Sequence, residues 1–161
     1  MDAPPDDRPE VEEVMMEHTM STSERQIRAL HEAWFDASRA KDLDASMAVI
    51  SPAIVSYEHS APLQYTDVDA IREECRIGFD QSEGEVAWTV PDLRVHVRDD
   101  LAVSWGLNRV AVEQADGSSL VIWSRGTRVF LRQRGRWVMI HQHVSFPVDP
   151  ATGLAATDLE P

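Results

Sequence analysis

With one cysteine, Cys75, in 161 residues, the chain cannot form an internal disulfide. No apolar run approaches the roughly 20 residues that cross a bilayer, and no secretory apolar segment marks the N-terminus. A soluble, cytoplasmic protein is therefore expected, without a membrane partner. Basic residues are also scarce, 15 against 28 acidic ones, for a formal net charge of −13. No Lys/Arg cluster of the kind that displaces counterions from phosphates stands out, so nucleic acid is not an expected partner. Internal repeats and low-complexity tracts are missing, and Gly78, Gly84 and Gly106 do not make a GxGxxG phosphate loop.

What remains fits one domain, long enough to bury about 70% of its unfolded surface without staples. Residues 1–22, rich in Pro, Asp and Glu, read as a mobile acidic arm with a short helix around Val11 to Met16. A folded domain is expected over 23–148 and a tail over 149–161. Two overlapping capping boxes, Ser21 with Glu24 and Ser23 with Gln26, precede Ile27, Leu30, His31, Trp34 and Ser38 at helical spacing. That predicts a long first helix. A shorter one follows from Asp42 through Met47 to Ile50, stopped at Ser51-Pro52, and then a strand from Ile54 to His59. A third helix, capped by Asp67 or Asp69, carries Val68, Ile71, Cys75 and Phe79 on one side.

Everything afterwards predicts strand: 85–97, 101–113, 120–133 and 136–146, parted by the turn signals Asp99-Asp100, Asp116-Gly117 and Arg134-Gly135. Pro91 predicts a bulge or an edge in the first of them. Three helices and a meander of antiparallel strands make an α+β architecture in which a bent sheet wraps the long helix. Strict alternation along the last strand predicts Trp137, Met139, His141, His143 and Ser145 on one face and Val138, Ile140, Gln142 and Val144 on the other. The first set reads as a pocket wall, apolar at its root and ionisable at its rim. The second leaves the reverse face apolar, so a homodimer through the outer sheet face is expected.

The order of elements, with Leu30-His31-Glu32-Ala33-Trp34-Phe35, Lys41-Asp42-Leu43-Asp44, Pro62-Leu63-Gln64-Tyr65, Leu107-Asn108-Arg109, Gly135-Arg136-Trp137 and His141-Gln142-His143-Val144-Ser145, resembles the SnoaL-like branch of the NTF2-like, ketosteroid-isomerase-like superfamily. The resemblance spans about residues 23–159. It implies a cone whose mouth is lined by the first helix, the strand at Tyr57 to His59 and the inner faces of the last strands. In the steroid-isomerase branch a carboxylate on that first strand abstracts the proton, while a tyrosine and a protonated acid form an oxyanion hole. Here the strand reads Ser56-Tyr57-Glu58-His59, which leaves Glu58 or His59 for the base, and no Asp or Glu lies inside the later strands. Steroid isomerisation does not follow from this pattern. The association domain of calcium/calmodulin-dependent kinase, which is not an enzyme, also resembles the chain around Thr127-Arg128-Val129, Gly135-x-Trp137, His141-x-His143 and Ser145. Its pocket arginines lie at the places of Arg109 and Arg128, which implies a bound carboxylate held by charge-assisted bonds.

His59 shares its strand face with Tyr57, which favours a pocket of Tyr57 and His59 with Glu58 outside; an ordinary surface dyad fits Glu58 and His59 equally. His59, His141, His143 and Tyr57 are the catalytic candidates, since an imidazole exchanges protons near neutral pH and a phenol donates to an oxyanion; the histidines read equally as satisfied core residues. Trp34, Trp105, Asn108, Arg109, Trp123 and Arg128 are the substrate-binding candidates, the tryptophans being core residues by default. Arg125 and Arg128, three positions apart, face opposite sides unless Gly126 bulges. The pair His141 and His143 supplies two metal ligands, and a third would have to come from His31, His59 or His96, so no metal and no cofactor is expected. Cys75, with no basic motif beside it, reads as inert. Two functions follow. One is a proton-transfer enzyme, an isomerase, cyclase or dehydratase, acting on a small, partly apolar carbonyl or polyketide-like compound. The other is a non-catalytic module that holds a carboxylate or drives homo-oligomerisation.

Overall fold

The computed structural model describes residues 20–82, 84–114 and 116–161. Most of the expected acidic arm, with its short helix around Val11 to Met16, lies outside them. Three helices and six strands follow in the order α1 (Thr22–Arg39), α2 (Leu43–Met47), β1 (Ile50–Tyr57), α3 (Val68–Gln81), β2 (Val86–Thr89), β3 (Arg94–Arg98), β4 (Leu101–Glu113), β5 (Ser119–Gln133) and β6 (Arg136–Ser145).

The capping signals act as their chemistry dictates. Ser21 accepts from the backbone N–H of Glu24 at 3.1 Å, which satisfies one of the four donors orphaned at the start of α1. Asp42 does the same for Ala45 at the start of α2, and Asp67 for Asp69 at α3. Helix α2 is shorter than its apolar spacing predicts, because Ile50 already pairs with Met139 of β6 and the chain is extended from there. Pro52 therefore sits inside β1. It is tolerated because β1 is an edge strand, and the ladder is irregular between Ile50 and Val55.

The sheet runs β1-β6-β5-β4-β2, with β3 also paired to β4. Pro91 splits the expected strand over 85–97 into β2 and β3, which both pair with β4 on the same side, at residues 109–112 and 101–105. Every pairing is antiparallel except β1 with β6, which is parallel, so the sheet is mixed where an antiparallel one is expected from the meander. Parallel neighbours need a long crossover, and here α3 and the whole meander supply it. At the β5–β6 hairpin, Arg134 (φ 51°) and Gly135 (φ 79°) both take positive φ, the requirement of a two-residue type I′ turn.

The bent sheet closes on α1. Ile27, Trp34 and Phe35 of the helix, Ile54 of β1, Phe130 of β5 and Met139 of β6 form the centre of the core. The start of α1 is stitched to the far hairpin: the amide oxygen of Gln26 accepts from the Trp137 indole N–H at 3.1 Å, and Arg132 donates to Ser23 at 2.6 Å while lying over the Trp137 ring at 4.5 Å. Beyond β6 the chain turns back on itself through Asp149 and Leu154, and Leu159–Pro161 line clefts on the outer face of the sheet. No helix among the described residues is long and apolar enough to cross a membrane.

Candidate functional site

One residue decides which face the last strand shows to the interior. Phe130 pairs with Met139, but Val129 pairs with His141, so Ile140 is an extra residue in β6. Such a bulge breaks the alternation of side chains. Trp137 and Met139 point into the cone, and after Ile140 the inward positions are Gln142 and Val144, facing Arg128 and Gly126 of β5. His141 and His143 consequently sit on the outer face, opposite Val129 and Thr127. This corrects the expectation that the two histidines line the pocket. The Nδ1 of His141 is 2.7 Å from the Val55 carbonyl, and the Tyr57 ring, 41% exposed, packs edge-on to both imidazoles at 5.0 and 6.0 Å.

Tyr57 is thus also outside. In the second half of β1 the buried residues are Ile54 and Ser56, and Glu58 continues that face inward. The Ser56 hydroxyl and the Gln142 amide, the latter at 2.8 Å, both donate to Oε1 of Glu58. Alternation counted from Tyr57 and His59 puts Glu58 outside. Counted from Ile54, the apolar residue that must face the core, it puts Glu58 inside, and that is where it is. His59 is exposed at the rim with its ring edge-on to Phe146 at 4.8 Å.

Glu58, His59 and Gln142 line a cavity of about 410 Å³ with Trp34, Trp88, Tyr65, Glu74, Cys75, Ile50 and Ile71. Helix α1 supplies Trp34, β2 supplies Trp88, and α3 supplies Ile71, Glu74 and Cys75. Tyr65 is held in place by two backbone hydrogen bonds to Ser56. Burial, then the Glu74 charge and a hydrogen bond to that carboxylate, then Glu58 push the Tyr65 hydroxyl above its ordinary pKa, so it stays protonated at neutral pH. Burial, followed by the same two carboxylates, pushes the Cys75 thiol up, which leaves no reactive thiolate.

Arg128 lies beneath this cavity with no exposed surface. Its Nε donates to Gln142 at 3.1 Å, its Nη2 donates to Asn108 at 2.8 Å, and its Nη1 has no acceptor among the described residues. Trp34 and Trp88 stack over the guanidinium at 5.5 and 5.3 Å. Burial brings the Arg128 pKa down to about 10 and Glu58 acts to raise it, so the group remains a cation at neutral pH. Gly126 makes room for it: a Cβ there would fall 2.8 Å from Asn108 and 2.9 Å from Nη1. Trp88, one of the cavity walls, likewise has a buried indole N–H without an acceptor.

The other sequence candidates separate cleanly. Trp34 and Asn108 join Arg128 on the inner side. Arg109, Trp105 and Trp123 belong to the outer face of β4 and β5, where Trp105 is 40% exposed and Arg109 and Trp123 share a cleft with Glu160 and Pro161; their expected place in the pocket is corrected by the strict β4–β5 register. Arg125 faces out and donates to the Phe146 carbonyl at 2.9 Å. His31 is a core residue, its Nε2 2.9 Å from the Ser104 hydroxyl, and burial, then Arg128 and Arg28, lower its pKa to about 3. No group of three or more His, Cys, Asp or Glu among the described residues is arranged to hold a metal ion.

Gln142, Trp88, Tyr65 and Glu74 were not singled out from sequence. For Gln142 a signal exists, since the four consecutive apolar residues Trp137–Ile140 break the two-residue period and mark a place where alternation fails.

Residues 27–149 match the SnoaL-like domain family. An NTF2-like protein of unknown function from Pseudomonas putida KT2440 superposes with a TM-score of 0.79 at 31% identity, over 88% of this chain and 99% of that one. The association domain of CaMKII from C. elegans gives 0.64 at 20% identity, over 76% and 95%. A dehydratase candidate of the NTF2-like family from Streptomyces avermitilis gives 0.67 at 15% identity, over 75% and 93%. The last two speak to the fold alone. No protein of curated function matches the chain.

Proposed function

Because this chain belongs to the SnoaL-like domain family of the NTF2-like superfamily, whose fold encloses an interior cavity here, we propose that it is a proton-transfer enzyme of the isomerase, cyclase or dehydratase kind. Its substrate is a small, partly apolar carbonyl compound. The observation that carries this reading is Glu58: a carboxylate on the cavity wall, oriented by the Ser56 hydroxyl and the Gln142 amide, in the same cavity as the hydroxyl of Tyr65.

In this reading Glu58 takes a proton from the carbon beside the carbonyl. The enolate oxygen that develops accepts from the Tyr65 hydroxyl. The protonated Glu58 returns its proton to another position of the substrate or to a leaving hydroxyl. Trp34, Trp88, Ile50 and Ile71 hold the apolar remainder and exclude water. Arg128, behind Gln142, offsets the charge of Glu58 without touching the substrate. Tyr57, His141 and His143, outside the cone, take no part.

The test is deuterium wash-in at carbons next to the carbonyl, followed by proton NMR over a panel of small ketones and enones in D2O. Wild type should exchange at least one of them, and Glu58→Gln should slow that exchange by about 10²–10⁴-fold. Wash-in that Glu58→Gln leaves unchanged would end the proposal.

A second reading rests on the outer sheet face. Tyr57 (41% exposed), Leu101 (46%) and Trp105 (40%) lie exposed on that face, which favours a homodimer formed there. The fold shared with an association domain agrees with it. A Trp105→Glu chain that sediments as a monomer where wild type sediments as a dimer would support this reading, and a monomeric wild type would remove it.

A further inference from the structure

The charges around the cavity are not balanced. The charge of Glu58 is answered by Arg128 through the Gln142 amide, which accepts from one and donates to the other. Glu74, exposed on α3 at the cavity mouth, has no ion-pair partner among the described residues. The basic lining is limited to His59, since Arg128 is sealed below the floor. Burial first, and then the two carboxylates, push up both the Tyr65 hydroxyl, which is also hydrogen-bonded to Glu74, and the Cys75 thiol.

A carboxylate without an ion-pair partner among the described residues at the mouth and aromatic and aliphatic walls behind it select for a molecule with two matching parts. We propose that the ligand of this cavity is a small organic cation: a protonated amine seated at Glu74 and an apolar body between Trp34, Trp88, Ile50 and Ile71. This rests on the reading that the cavity is the substrate site, and it leaves Glu58 free to act as base. It also separates the chain from a carboxylate binder, because an anion would meet Glu74 on entry and would find Arg128 covered by Gln142, Trp34 and Trp88.

Isothermal titration with three matched probes, benzylamine, benzyl alcohol and benzoate, tests the charge preference. Benzylamine should bind at least about tenfold more tightly than the alcohol and benzoate least, with an advantage that shrinks as salt is raised. Glu74→Gln, a conservative change on an exposed helix position, should bring benzylamine to the level of the alcohol. Equal binding of amine and alcohol, or preference for benzoate, overturns the cation inference while leaving the cavity a binding site. Binding of none of the three overturns both the inference and the reading beneath it. Retention of the amine preference in Glu74→Gln removes Glu74 from the site.

Discussion

Gln142 holds Arg128 and is held by it: the Nε of the buried guanidinium donates to the amide oxygen at 3.1 Å, which fixes the amide nitrogen toward Glu58 at 2.8 Å. Replacing Gln142 by Leu keeps the volume but strands a buried cation's N–H and removes one donor to Glu58. The expected cost is about 2 to 3 kcal/mol, a fall in Tm on the order of 5–10 °C, read by thermal unfolding. Gln142→Glu, which can still accept from Arg128, should recover part of it.

His31 makes stability depend on pH. Its folded pKa, about 3, lies below the ordinary value of 6.5, so the unfolded chain binds a proton that the native one does not. The stabilising contribution is therefore complete above about pH 6.5 and is lost as pH falls toward 3, with a limiting slope of about 1.4 kcal/mol per pH unit. Urea unfolding of wild type and His31→Gln between pH 7 and 4 should show the difference between the two chains shrinking as the pH is lowered.

Gly126→Ala tests the close approach under the guanidinium. The added methyl would lie 2.8 Å from the Asn108 amide nitrogen and 2.9 Å from Nη1 of Arg128, and both neighbours are buried. Overpacking at such a place costs about 1–3 kcal/mol. Chemical denaturation should show that loss, and Gly78→Ala, with nothing within 4 Å of its Cβ position, should not.

The double variant His141→Ala, His143→Ala should leave ligand affinity and wash-in within about twofold, because both imidazoles are outside the cone. It should lower stability by about 1 kcal/mol through loss of the His141 to Val55 hydrogen bond. A wash-in rate that collapses with the fold intact would return these histidines to the chemistry.

Helix starts and hairpin turns were legible because they rest on local chemistry: Ser21, Asp42 and Asp67 cap as their side chains require, and Arg134-Gly135 turns as its φ values require. Site placement was less so. Each strand face depends on where the count of alternation starts and whether it is interrupted, and the extra residue at Ile140 exchanges Gln142 for His141 in the cavity. The parallel β1–β6 pairing is a contact between distant parts of the chain, which no local pattern records. Parity put Arg125 and Arg128 on opposite faces, since three positions separate them and the strand between is regular, but not which of the two faces inward.

That same β1–β6 pairing fixes when the site comes into being. Val55 meets His141 across 86 positions of chain and Glu58 meets Gln142 across 84, so the carboxylate has no amide to orient it until the final strand has been made and docked. Contacts so distant in sequence form late, after the helices and the β4–β5 hairpin have paid their own loop closures. On the ribosome, then, a nascent chain that stops short of β6 carries Glu58 on an unpaired strand edge. The cavity gains its oriented carboxylate only when β6 docks.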